Sequence, residues 1–154
     1  MPLSQKITPN LWFDRNAKEA VDFYVSVFPN SKVLHTEFYP TEGLEEFQKE
    51  FAGDVLTIEF ELDGQKFAAI NAGPEFKFNE AVSFAIACKD QDEIDYYWDK
   101  LSVVPESEVC GWCKDKYGLS WQVVPENINE LLAKPGAYAK FMKMGKIVIA
   151  DLES

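Results

Sequence analysis

The chain has 154 residues and a mass of 17.6 kDa, with 47% hydrophobic and 14% aromatic residues, enough apolar material for a sizeable core. Its formal net charge of -11 argues against nucleic acid and anionic membrane surfaces as partners, because phosphate contacts need clustered Lys and Arg. No apolar run approaches the roughly 20 residues that span a bilayer, the N-terminus lacks the apolar stretch of a secretory signal, and three cysteines fit a reducing cytoplasm better than a disulfide framework.

Residues 7–13 read as a short strand with Pro9 at its edge or start. A helix follows: Asn16 is placed to cap it, Glu19 to complete a capping box, and Ala17, Ala20, Val21, Tyr24, Val27 and Phe28 form a stripe of period 3.6. Asp14-Arg15 before it reads as a loop ion pair or a solvated turn. Residues 32–39 are a strand, and 41–52 a short helix with Leu44, Phe47 and Phe51 on one side. Residues 55–62 alternate, with Leu56, Ile58, Phe60 and Leu62 against Thr57, Glu59 and Glu61, the pattern of a half-buried strand. Asp63-Gly64 is a two-residue hairpin turn, and the chain returns as a strand over 67–71.

After a linker at Gly73-Pro74 the pattern restarts. Residues 82–88 are a strand, Asp90 caps a helix with Glu93 three residues on, and Ile94, Tyr97, Trp98 and Leu101 form its stripe. A strand is expected near 104–114, a turn ending at Gly118, and a strand over 119–125. The tail holds a helix over 126–144, broken near Pro135-Gly136, and ends in a short Lys146-Ile-Val-Ile segment.

The two halves repeat one order of elements, βαβββ. Asp22 and Asp95, each followed by two aromatic residues, lie 73 apart, whereas Gly64 and Gly118 lie 54 apart, so the first copy is 19 residues longer between helix and hairpin. The 41–52 helix supplies most of that difference. The expected organisation is a single α+β domain over 1–154, with module one at about 5–73, module two at about 81–125 and a helical tail at 126–154.

Two tandem βαβββ modules resemble the glyoxalase/bleomycin-resistance/dioxygenase (vicinal oxygen chelate) superfamily. Several strings are similar to its PhnB-like branch, the 3-demethylubiquinone-9 3-methyltransferase domain: Ile7-Thr-Pro-Asn-Leu-Trp-Phe, Ala20-Val-Asp-Phe-Tyr, Gly64-Gln-Lys-Phe-Ala-Ala-Ile-Asn-Ala-Gly73, Phe76-Lys-Phe-Asn79, Asp95-Tyr-Tyr-Trp98 and Cys110-Gly-Trp-Cys-Lys-Asp-Lys-Tyr-Gly-Leu-Ser-Trp-Gln122. The resemblance implies a half-barrel sheet in each module, a ligand in the cup between modules, and frequent homodimers. No glycine-rich loop after a strand suggests a Rossmann-type site for S-adenosylmethionine. In the metal-dependent members the ligands come from the first and last strands of each module. Those positions fall here on Pro9, Ala68, Ser83 and Gln122, of which two cannot ligate through a side chain and two are weak neutral donors. The expectation is therefore no metal and no cofactor.

If Ser83 and Gln122 face the cup, so do Ala85, Ala87, Ser120 and Val124, while Val82, Phe84, Ile86, Leu119, Trp121 and Val123 face the helices. Small residues then line the cup, leaving room for a ligand or for the tail or a partner chain. The candidate ligand-binding residues are Asn71, Ser83, Trp112, Gln122 and Trp12: Asn71 and Gln122 as amides in apolar strands, Trp12 and Trp112 as platforms for a planar group. Cys110-Gly-Trp-Cys113 spells a redox motif but precedes a turn rather than a helix, so the reading is two ordinary thiols. The sole histidine, His35, is structural or exposed, or a base if a carboxylate orients it.

Three functions remain open. The leading one is a metal-independent, cytoplasmic small-molecule binding protein acting as a homodimer. The alternative is an isomerase, lyase or dioxygenase of the superfamily acting on a small oxygenated substrate. The third is an acidic interaction module whose cup its own side chains fill.

Overall fold

In the computed structural model, which describes residues 5–154, the chain divides between Lys77 and Phe78 into two units. The first contains β1 (Asn10–Asp14), α1 (Ala17–Val27), β2 (Lys32–Phe38), a 3-10 helix (Glu46–Phe51), β3 (Val55–Leu62) and β4 (Gln65–Ala72). Its sheet has the order β1-β4-β3-β2, with β1 parallel to β4 and the other pairs antiparallel. Strand alternation sorts the residues as expected. Leu11, Phe13, Ile58, Phe60 and Phe67 are buried with Ala17, Ala20, Val21 and Tyr24 of α1. On the other face the register aligns His35, Glu59, Ala68 and Asn10 in one row and Glu37, Thr57, Ile70 and Trp12 in the next.

Three details differ from the sequence reading. The first strand begins at Asn10 rather than residue 7; Pro9 has no N–H to give the ladder, although its carbonyl accepts from the Ala68 N–H at 2.9 Å. Asn16 makes no side-chain cap. The Ala17 N–H instead donates to Asn71 Oδ1 at 3.2 Å, so the cap comes from a strand 54 residues away. Finally, 41–52 forms only the 3-10 helix, closed by a capping box between Glu45 and Gln48. Phe47 points to solvent, and Phe51 is buried with its ring stacked on Tyr39 at 5.1 Å between centroids. Arg15 does not pair with Asp14. Its guanidinium lies 5.2 Å over the Phe51 ring and pairs with Glu50, which pins the insertion to the first unit.

The second unit contains β5 (Ser83–Cys88), α2 (Gln91–Leu101), β6 (Trp112–Lys114), β7 (Ser120–Pro125), α3 (Ile128–Leu132), α4 (Ala137–Phe141) and α5 (Ile149–Glu153). The sheet order is β5-β7-β6, with β5 parallel to β7. Asp90 caps α2, its Oδ1 accepting from the Glu93 N–H at 2.9 Å. The strand expected near 104–114 shrinks to Trp112–Lys114. Pro105 opens a 3-10 turn over Pro105–Ser107, so what remains of the repeat's second strand is a hydrogen bond from the Val103 N–H to the Lys114 carbonyl at 3.1 Å and an isolated antiparallel bridge between Val109 and Trp112.

The tail belongs to this unit. Leu131, Ala137, Ile147 and Leu152 form a buried cluster, and the Cys110 and Gly111 N–H groups donate to the Met144 and Gly145 carbonyls at 2.7 and 2.9 Å. Gly111 has φ +85°, and a Cβ there would lie 3.0 Å from the Val123 carbonyl oxygen and 2.8 Å from the Ile147 side chain; both the turn and the close approach demand glycine. The Gln91 amide donates to the Ile147 carbonyl at 3.0 Å and accepts from the Ile149 N–H at 2.8 Å. Among the described residues no helix is long and apolar enough to cross a membrane.

Candidate functional site

Alternation along β7 places Trp121 and Val123 in the core and turns Ser120, Gln122 and Val124 to the opposite face, which is open at half-buried Gln122, buried at Ser120 and covered by the tail cluster at Val124. The register extends that face in both directions: Ser83 lies opposite Ser120 and Ala85 opposite Gln122 on β5, and Lys114 opposite Ser120 and Trp112 opposite Gln122 on β6. Three of the five candidate residues, Ser83, Trp112 and Gln122, therefore share one surface. Gln122 Nε2 donates to Ser83 Oγ at 2.9 Å.

The turn between β6 and β7 is held by a buried carboxylate. Asp115 is 1% exposed. Its Oδ1 accepts from the Tyr117 and Leu119 N–H groups at 2.8 and 3.1 Å, and its Oδ2 from Trp121 Nε1 at 2.9 Å. These charge-assisted bonds fix where β7 begins, and so where Ser120 and Gln122 stand.

Beside this face lies a cavity of about 200 Å³, its lining including Glu80, Glu106, Val109, Trp112, Lys114 and Ser120. The Lys114 ammonium pairs with Glu80 at 2.6 Å, with the lysine side chain 22% exposed. The hydrogen bond from Lys114 holds the Glu80 carboxyl below its ordinary range. Ser120 is 1% exposed and its hydroxyl has no hydrogen-bond partner among the described residues.

The first unit holds the other two candidates, on opposite faces of its sheet. Trp12 is on the open face, where its Nε1–H donates to the Gly73 carbonyl at 2.9 Å and its ring meets Phe76 edge-on at 4.8 Å. Asn71 is on the helix side and 4% exposed. Besides capping α1, its Nδ2 donates to the Val55 carbonyl at 2.9 Å, and both ends of its amide are occupied by backbone. This geometry assigns Asn71 to joining helix and sheet rather than to meeting a ligand.

His35 has found a carboxylate. Its Nε2 lies 2.6 Å from Glu37 Oε1 on the open face, and this hydrogen bond, aided by the charges of Glu37 and Glu59, raises its pKa above 6.5. The raised value means that the pair supports the folded state at pH below the ordinary histidine pKa and loses that contribution as pH rises through the shifted one. Titration of the His35 ring by NMR is expected to give a midpoint above 6.5, returning toward 6.5 in Glu37→Gln; an unchanged midpoint in that variant refutes the pairing. Cys88, Cys110 and Cys113 are all free and buried, and burial pushes Cys88 and Cys113 up to about 12, which makes those two poor nucleophiles.

The four positions at which the superfamily's metal-dependent members place ligands do not fit a metal. Pro9 and Ala68 meet through a backbone hydrogen bond and offer no side-chain donor, and Ser83 and Gln122 are neutral groups bonded to each other. Among the described residues no group of three or more His, Cys, Asp or Glu side chains is arranged to hold a metal ion.

Two successive units with sheets of this topology define a vicinal-oxygen-chelate, glyoxalase-like protein, and comparison with solved structures agrees. A fosfomycin resistance protein, FosX, from Mesorhizobium loti aligns with a TM-score of 0.53 at 13% identity, over 86% of this chain and 100% of its own. Protein PA1353 from Pseudomonas aeruginosa aligns with a TM-score of 0.53 at 14% identity, over 79% and 98%. At such identities the likeness is one of fold. A PhnB protein from Bacillus cereus, described as a putative 3-demethylubiquinone-9 3-methyltransferase, is 34% identical over 78% of this chain and 99% of its own, with a TM-score of 0.62. The family model for 3-demethylubiquinone-9 3-methyltransferase matches residues 5–124, and the chain belongs to that family, the PhnB-like branch of the superfamily. No curated protein matches it.

Sequence reasoning placed Ser120 on the open face but gave it no role, and it missed Lys114 and Glu80. Lys114 was within reach, since it lies two residues beyond Trp112 on the same strand and so shares its face. Glu80 sits in the linker before β5, where no periodicity points to it.

Proposed function

We propose that this protein binds a small molecule without a metal, on the open face of the second unit at Ser83, Trp112 and Gln122. The observation that carries the reading is the Ser83–Gln122 hydrogen bond, a neutral polar pair at two positions where metal-dependent relatives place ligands, beside a cavity walled by an indole. Trp12 is proposed as a separate aromatic contact, on the open face of the first unit. Binding is favoured over catalysis through His35, because the His35–Glu37 pair stands exposed on the sheet of the first unit, whereas the Ser83–Gln122 pair and the cavity belong to the second. A homodimer forms part of the same proposal, supported by the exposure of edge strand β2, where Val33, Leu34 and Phe38 reach solvent.

The test uses metals as probes. A metal at one hundred times its Kd stabilises a folded protein by about 2.7 kcal/mol. Thermal unfolding in Mn²⁺, Ni²⁺ or Zn²⁺ is expected to match unfolding in EDTA, with the protein sedimenting as two copies throughout. A metal-dependent rise in Tm that disappears in Ser83→Ala or Gln122→Ala would sink the metal-independent reading.

A further inference from the structure

The cavity beside β6 is unbalanced in its hydrogen bonding. Ser120 and Lys114 stand directly opposite each other on β7 and β6, a placement that brings Cβ atoms to about 5 Å. The Ser120 hydroxyl is buried and without a partner among the described residues, which costs free energy unless something else satisfies it. An ammonium has three N–H donors, and Lys114 gives one to Glu80. Two side chains with donors to spare therefore line one cavity, and the Trp112 indole, two residues along β6, lines the same cavity.

We infer that this cavity receives a planar group bearing a carbonyl oxygen, with Ser120 Oγ–H and Lys114 Nζ–H donating to that oxygen and Trp112 packing on its face. The inference deepens the binding function proposed above and rests on it. An acceptor is required because the ammonium repels any donor brought beside it. A neutral acceptor is preferred to a carboxylate because Glu80 already neutralises Lys114 and Glu106 leaves the lining with a net negative charge. At about 200 Å³ the space falls below the roughly 300–1,000 Å³ of pockets that enclose a whole drug-sized ligand. It thus takes a head group, and the remainder of the ligand extends across Ser83 and Gln122, which share the open face with Ser120.

The residues impose a specific combination of effects. A hydroxyl kept for structure lowers stability when removed. A buried hydroxyl without a partner raises stability when removed, and if it serves a ligand its removal also weakens binding.

Benzamide, benzoate and toluene serve as probes in an NMR titration of the full chain, wild type and the Ser120→Ala and Lys114→Met variants. Benzamide is expected to shift the Ser120, Lys114 and Trp112 resonances saturably and to bind more tightly than benzoate or toluene. Ser120→Ala is expected to weaken benzamide by about three- to tenfold, the equivalent of one hydrogen bond, to leave toluene unchanged and to raise Tm. Lys114→Met is expected to weaken benzamide independently, so the inference does not depend on one variant. Benzamide binding no tighter than toluene, or unchanged in both variants, overturns the carbonyl assignment; benzoate binding tighter than benzamide overturns the neutral one. Shifts confined to Ser83 and Gln122 overturn the inference and leave binding on the open face standing, whereas no shift at any of these residues overturns both.

Discussion

Replacing Asp115 by alanine is expected to destabilise the protein by about 4 kcal/mol, lowering Tm by on the order of 10 °C. The carboxylate accepts from two backbone N–H groups and an indole, and hydrogen bonds to a charged group contribute about 1.5–3 kcal/mol each. They are not additive, because one side chain makes all three, but removing it leaves buried donors at Leu119 and Trp121 without an acceptor. Asp115→Asn keeps one acceptor oxygen and is expected to cost about half as much. Urea unfolding measures both. A loss below about 1 kcal/mol in Asp115→Ala means that the turn does not depend on the carboxylate. The consequence for function follows from connectivity: with the turn loosened, Ser120 and Gln122 lose their register against Lys114 and Trp112, and benzamide shifts at those residues are expected to broaden or vanish.

Asn71→Ala is the second large effect, expected at about 3 kcal/mol. It deprives the Ala17 N–H and the Val55 carbonyl of their partners, at about 1–3 kcal/mol for each buried group left unsatisfied. Asn71→Asp separates the two bonds, since a carboxylate still accepts from Ala17 but faces the Val55 carbonyl with an oxygen where a donor stood. It is therefore expected to fall between wild type and Asn71→Ala. The measurement also decides what kind of residue Asn71 is. A ligand contact would change affinity and spare stability, and that outcome would overturn the assignment made from its buried geometry.

These two residues show where sequence reading reaches its limit. Local rules found what local physics controls: the Asp63-Gly64 turn, the Asp90 cap, and the parity of β7 that buries Trp121 and exposes Gln122. Asn16 had the residue type and position of a helix cap, yet the bond went to Asn71, because a strand amide carried to the helix end by the fold competes with the local side chain and nothing in the spacing reveals it. The same distance in sequence hid the pairing of Lys114 with Glu80. Asp115 was seen as part of a turn, but its bond to the Trp121 indole needs the turn to be closed first. The shortened strand in the second copy leaves its trace at Pro105, which has no N–H to give a ladder and opens a 3-10 turn. The open face was thus foreseen through strand parity, whereas the cavity beside it depends on partners that meet only in the folded chain.

The tail carries a different lesson. The family pattern ends at residue 124, but the second unit does not close there. Leu131, Ile147 and Leu152 lie beyond it in a buried cluster, and the carbonyls of Met144 and Gly145 receive the backbone of Cys110 and Gly111. The length over which a chain resembles its relatives and the length over which its interior is sealed are separate quantities, and here they differ by the whole of the tail. A fragment cut to the shared pattern would keep every residue of the open face while stripping the cover from the unit that presents it.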